Sequence, residues 1–81
     1  MNLIYKGYVG MLVKAAERND DPVPVAKQLY DQMPDEFLDK LFQMPDYMPL
    51  LDQYNARAKL FRAWFDRLYA ELKKLEKEST P

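Results

Sequence analysis

A side chain that attacks a carbonyl or carries a proton is usually Cys, Ser or Thr beside His, or else a positioned Lys or carboxylate. This chain has no Cys and no His, and its one Ser and one Thr are Ser79 and Thr80, at its end. Carboxylates remain. Asp35 and Asp39 stand at i,i+4 spacing, which puts both acids on one side of a helix. On a surface such a pair is ordinary solvated charge, and a chain this small has little room for a deep cleft. No catalytic residue is assigned and no enzyme is expected. Metals meet the same shortage, because soft and borderline ions want His or Cys. Asp31, Asp35, Glu36 and Asp39 lack the Asp-x-Asp-x-Asp-Gly order of a calcium loop and read as the cap and solvent face of a helix. Gly7 and Gly10 lack a phosphate-loop context. The expectation is no metal and no cofactor.

Two patterns point to macromolecules instead. Arg57, Lys59, Arg62 and Arg67 alternate with Phe61, Trp64, Phe65 and Tyr69, and basic residues beside aromatics suit single-stranded nucleic acid. At 100° per residue, however, the four cations point in different directions, and Arg62 with Asp66 and Arg67 with Glu71 form i,i+4 pairs. Residues 25–42 read as helix, short turn, helix, but the second helix opens Pro34-Asp35-Glu36, and carboxylates there oppose approach to phosphates. A nucleic-acid-binding helical regulator is the alternative reading. The preferred one is protein contact. Met33, Met44, Tyr47 and Met48 gather beside Phe37 and Phe42, and Met-rich surfaces adapt to partners. Trp64 and Arg57, one heptad apart, are residue types enriched where interfaces hold most tightly. The expected partner site is Tyr47, Met48 and Trp64, ringed by the acidic Asp35, Glu36, Asp39 and Asp46; core packing is the competing role for the apolar three.

The elements that would position these residues are helices. Ile4, Tyr8, Leu12 and Ala15, flanked by Tyr5, Val9 and Ala16, fit a helical face from Asn2 to Arg18, although Gly7, Gly10 and the β-branched residues keep a strand through Leu3, Tyr5, Val9, Met11 and Val13 in play. The two glycines either let another helix come close or only cost stability. Asn19-Asp20-Asp21-Pro22 ends this helix and starts a second, with Asp20 or Asp21 as N-cap and Pro22 in the first turn. The echo Gln32-Met33-Pro34-Asp35 and Gln43-Met44-Pro45-Asp46 marks two joints, since proline biases the preceding residue away from helical angles. A third helix spans about 34–43. From Met48 to Glu78, Leu51, Tyr54, Ala58, Phe61, Phe65, Leu68, Leu72 and Leu75 recur every three or four residues with no Gly or Pro after Pro49, which predicts one helix of about 45 Å. The tail from Ser79 to Pro81 should fray. The fold class is therefore all-α: three short helices forming a head over residues 1–48, and one long amphipathic helix with a coiled-coil-like seam. The apolar arc narrows beyond Leu68, so Leu68, Leu72 and Leu75 should project as a stalk and pair two copies as a homodimer.

The whole is one domain of 81 residues, too small to bury a large share of its surface and without Cys or His to staple it. Residues 1–48 carry five Lys or Arg against eight Asp or Glu, and residues 49–81 carry seven against five, an imbalance too small for a nucleic-acid footprint. No stretch is apolar enough to span a bilayer and no leader is evident, so a cytoplasmic protein is expected. Leu29-Tyr30-Asp31-Gln32-Met33-Pro34 loosely resembles a segment of the small bacterial nucleoid-associated modulators. That likeness covers six residues and implies an all-helical protein that binds another protein. The reading as a whole is a non-enzymatic small regulator or inhibitor of a larger protein or complex.

Overall fold

The computed structural model describes residues 3–79. They form five α-helices and one 3₁₀ segment with no strand among them: α1 Leu3–Glu17, α2 Pro22–Gln32, α3 Asp35–Gln43, α4 Met48–Asp52, the 3₁₀ segment Ala56–Phe61 and α5 Arg62–Ser79. The all-α class read from the sequence is the observed one, and the strand alternative for the first segment is gone. Thr80 and Pro81, where the tail was expected to fray, lie outside the described residues, and Ser79 still belongs to α5.

The joints follow local chemistry. Asn19 takes the left-handed conformation, φ 55°, and two backbone bonds, Asn19 N–H to Ala16 O and Asp20 N–H to Ala15 O, both 3.0 Å, close the end of α1 as a Schellman motif. Asp21 then caps α2, its carboxylate accepting from Val23 N–H at 3.0 Å, and Pro22 occupies the first turn. Met33 and Met44 are both extended, at φ −78°, ψ 139° and φ −77°, ψ 140°, as a residue before proline prefers. The repeated tetrapeptide therefore makes the same bend twice.

The long C-terminal helix starts later than its apolar spacing predicts. After α4 the chain turns, Asn55 goes extended at φ −158°, ψ 108°, and its side chain accepts from Arg57 N–H at 3.0 Å to start the 3₁₀ segment. An Asn side chain competes with the helix for backbone donors, and here it wins without Gly or Pro. The turn folds Leu50, Leu51 and Tyr54 back toward the head instead of extending them away from it.

The stalk is also absent. The molecule measures 36 × 27 × 23 Å. Its accessible surface, 5167 Å², is what a compact 9.6 kDa monomer exposes, about 5,100 Å² by the usual size scaling. α2 lies along α5, and Phe65, Leu68 and Leu72 are buried between that pair and α1, with Leu75 packed on their edge. Leu72 is 1 % exposed. The stripe expected to pair two copies is closed by this chain's own second helix, so Leu68 and Leu72 are core residues in this fold.

Candidate functional site

Two aromatic clusters tie the ends of the bundle together. In one, the Tyr5 ring sits 4.7 Å from Phe37 and edge-on to Tyr54 at 6.1 Å, while its hydroxyl donates to Glu36 Oε1 at 2.5 Å. That bond to a carboxylate, with burial, pushes the Tyr5 phenol up to about 12. In the other, Tyr47 stacks on Tyr69 at 5.0 Å, and Tyr69 meets Phe42 at 5.9 Å. The Tyr47 hydroxyl donates to Asp66 Oδ1, and the Arg62 guanidinium lies over the Tyr47 ring at 5.5 Å. Burial, followed by the Asp66 bond, raises the Tyr47 pKa. Arg62 donates two bonds to Asp46, at 2.9 and 3.2 Å. Asp46 Oδ1 also accepts from Met48 N–H, and these bonds hold its carboxyl below the usual carboxylate range.

These contacts place the expected partner site. Tyr47 and Trp64 are 6 % and 5 % exposed, and Met48 is buried beside them. Trp64 Nε1 donates to Asp20 O at 2.8 Å, so the indole pins the α1–α2 joint to α5. The three apolar members of that site are core in this fold and offer no surface to a partner: the turns at Met44 and Asn55 fold the segment with Tyr47 and Met48 inward, and Trp64 is turned in from α5 against the α1–α2 joint. Trp64 and Arg57 do not act together either, since Arg57 reaches Glu17 at 2.8 Å. The acidic members stay at the surface but not as one ring: Asp46 is held by Arg62 and Glu36 by Tyr5, while Asp35 and Asp39 have no ion pair among the described residues. The basic stripe is likewise dispersed. Arg57 and Arg62 are occupied by carboxylates, and Trp64 and Phe65 are buried, which leaves no aromatic platform between them for bases.

The surface that spacing alone pointed away from is the outer face of α1. The helix turns Tyr5, Val9, Leu12, Ala15 and Ala16 inward, so the expected face holds at Leu12 and Ala15 and along its flank, while Ile4 is exposed and Tyr8 sits at the edge. Leu3 and Ile4 are 78 % and 61 % exposed and Met11 is exposed beside them. With Gly7 and Tyr8 they line a shallow depression of about 290 Å³. A Cβ added at Gly7 or Gly10 would meet nothing within 4 Å, so no internal packing calls for glycine there. Two mid-helix glycines each cost about 1 kcal/mol relative to alanine. Tyr8 marks the edge of the face, its hydroxyl donating to Gln32 O at 3.3 Å. A helix apolar nearly all the way round belongs in an interior, and that count around the circumference is the sequence signal that exposes this face.

The interior offers less to a ligand. A void of about 10 Å³ among Leu12, Leu29, Phe37, Leu41, Phe65 and Leu72 is wholly apolar and at the limit for a single water. Among the described residues no three His, Cys, Asp or Glu gather as a metal-holding group, and no helix is long and apolar enough to cross a membrane. Residues 29–34, the segment likened to the nucleoid-associated modulators, form the last turn of α2 and the Met33 joint, a structural position. No protein-family model, no curated protein and no solved structure matches the chain.

Proposed function

We propose that this is a non-enzymatic, cytoplasmic protein that acts by binding another protein, as a small regulator or inhibitor, and that its working surface is the outer face of α1. One observation carries the reading: α1 is apolar on two faces, and the fold buries only the inner one. Exposed aliphatic side chains around a glycine-floored depression suit a packed protein surface, whereas phosphates would seek cations. Nucleic acid binding, the alternative, finds Arg57 and Arg62 paired with carboxylates and Trp64 and Phe65 buried.

The test compares affinity capture from the native host by the wild-type chain and by an Ile4→Glu, Met11→Glu variant whose helicity is first shown to be unchanged. A protein held by the wild type and lost from the variant supports the reading. Equal capture by both moves the working surface elsewhere, and a steep salt dependence of binding to generic DNA favours the nucleic-acid alternative.

A further inference from the structure

The geometry points to Asn55 as a hinge about which this chain has a second, open form: α4, the 3₁₀ segment and α5 join as one helix, and α5 of each of two copies packs on the head of the other. Unlike the function proposed for the outer face of α1, this exchange uses only the interior contacts of the fold.

The bend is local. Gln53 is right-handed helical, at φ −67°, ψ −21°, and Asn55 N–H still donates to Leu51 O at 3.0 Å, the i→i−4 bond of an α-helix. Asn55 itself departs, at φ −158°, ψ 108°, and Arg62 is helical again. Between them Ala56–Phe61 is 3₁₀, although Ala56, Arg57, Ala58, Lys59 and Leu60 are good α-helix formers, and a 3₁₀ stretch within a helical run is a common mark of a hinge. Turning Asn55 to helical angles keeps its neighbour's donor satisfied, because Arg57 N–H leaves the Asn55 side chain for Gln53 O, its α-helical acceptor. The apolar residues also keep their phase through the bend: Leu51, Tyr54, Ala58, Phe61, Phe65, Leu68 and Leu72 follow at three and four. A straight helix needs continuous phase across residue 55, whereas a bent chain has no use for it.

Straightening selects the occupant. A helix over residues 48–79 is about 48 Å long, beyond the 36 Å of the closed molecule, and sets Asp66 about 27 Å along the axis from Met48. Within one chain Tyr47 then loses Asp66 and Tyr69, Asp46 loses Arg62, and Asp20 O loses Trp64 Nε1. Phe65, Leu68 and Leu72 lose their cover from α2. A second open copy carries each of those lost partners in the same shape and charge, so exchange of α5 between two copies restores them at low cost.

Two substitutions pull the hinge in opposite directions. Asn55→Ala removes the side-chain bond that starts the bend and adds a helix former. Ala56→Pro suits the bend, since proline is welcome at a first helical position after an extended residue, and it breaks the straight helix. Each protein, shown helical by circular dichroism, is cooled from a heat-unfolded solution at millimolar concentration and sized by gel filtration with light scattering. Wild type should give a dimer beside the monomer, with an association constant at least tenfold higher for Asn55→Ala and at least tenfold lower for Ala56→Pro. Monomer alone from both wild type and Asn55→Ala overturns the open form, and so does a dimer that Ala56→Pro leaves intact. Exchange itself is read by complementation in the Asn55→Ala background. Leu29→Asp spoils the head and Leu72→Asp spoils α5, so each alone is largely unfolded. Cooled together in equal amounts, the two should form a dimer with one intact unit and regain helicity above the sum of the separate proteins. No gain over that sum overturns the exchange.

Discussion

Along α5, Phe65, Leu68 and Leu72 lie under α2 and are shut off from water; along α1, Leu3, Ile4, Gly7 and Met11 make a line of similar spacing that faces solvent. Both lines have helical periodicity, and both suggest a covering element. What differs is the shape each presents. The α5 line is built of bulky side chains that fill space against Leu12 and Leu29, whereas the α1 line carries glycines where the fold needs no gap. Periodicity thus marks both faces as apolar, and the fold decides which of them the chain's own helices cover.

The largest expected effect breaks the α5 side of that contrast. Leu72→Asp would put a carboxylate into the middle of the core at a position 1 % exposed, costing upwards of about 4 kcal/mol. A domain of this length holds only about 4–12 kcal/mol in total, so the variant should be largely unfolded by circular dichroism. A folded, monomeric Leu72→Asp would mean that α5 is not packed under α2. Next comes Trp64→Phe, which removes the donor to Asp20 O and leaves space behind. About 2 kcal/mol should be lost in urea unfolding, with a melting point about 10 °C lower.

These two residues also show what the sequence makes legible. The helix ends at Asp21-Pro22, Met33-Pro34 and Met44-Pro45 are readable because caps and prolines act through nearest neighbours. The break at Asn55 is not, because Asn caps a helix only when the path of the chain needs a turn there, and that need arises from Leu50 and Leu51 packing inward. Tyr47 and Trp64 look the same in sequence whether they grip a partner or the core, and only the folded path separates the two. On α1 the apolar residues run so far around the circumference that the inner and outer faces are nearly interchangeable on paper. The choice of Tyr5 and Val9 over Ile4 and Tyr8 as the buried line is made by Phe37, Tyr54 and Glu36, which receive the Tyr5 ring and hydroxyl.

A smaller effect probes the polar clamp at the head of α5. Tyr47→Phe keeps the stack on Tyr69 and loses the bond to Asp66, worth about 1.5 kcal/mol to a charged acceptor. The loss should depend on pH. The folded state holds the Tyr47 proton above its ordinary pKa of 10.0, so the stabilisation is complete below pH 10 and drains away as pH rises beyond it. The gap between wild type and Tyr47→Phe should therefore be widest near neutrality and narrow in alkali, while the alkaline loss due to Tyr5 persists in both. At the acid end the Asp46 contribution is full above pH 3.8 and is lost as pH falls below it, equally in the two proteins.

The smallest effect has the opposite sign and sharpens the α1 side. Gly7→Ala adds a methyl group that meets nothing within 4 Å, at a backbone position inside a helix that alanine adopts without strain. The unfolded chain loses freedom and the helix gains propensity, so at low concentration the variant should be more stable by about 0.8 kcal/mol, with a melting point raised by about 4 °C. Leu72 admits no such gain, because every atom removed or added there is felt by a packed neighbour. If Gly7→Ala instead lowers the melting point of the dilute monomer, some part of the chain lies against Gly7 and the outer face is internal after all. If it raises it, glycine at this position lowers the stability of the isolated fold.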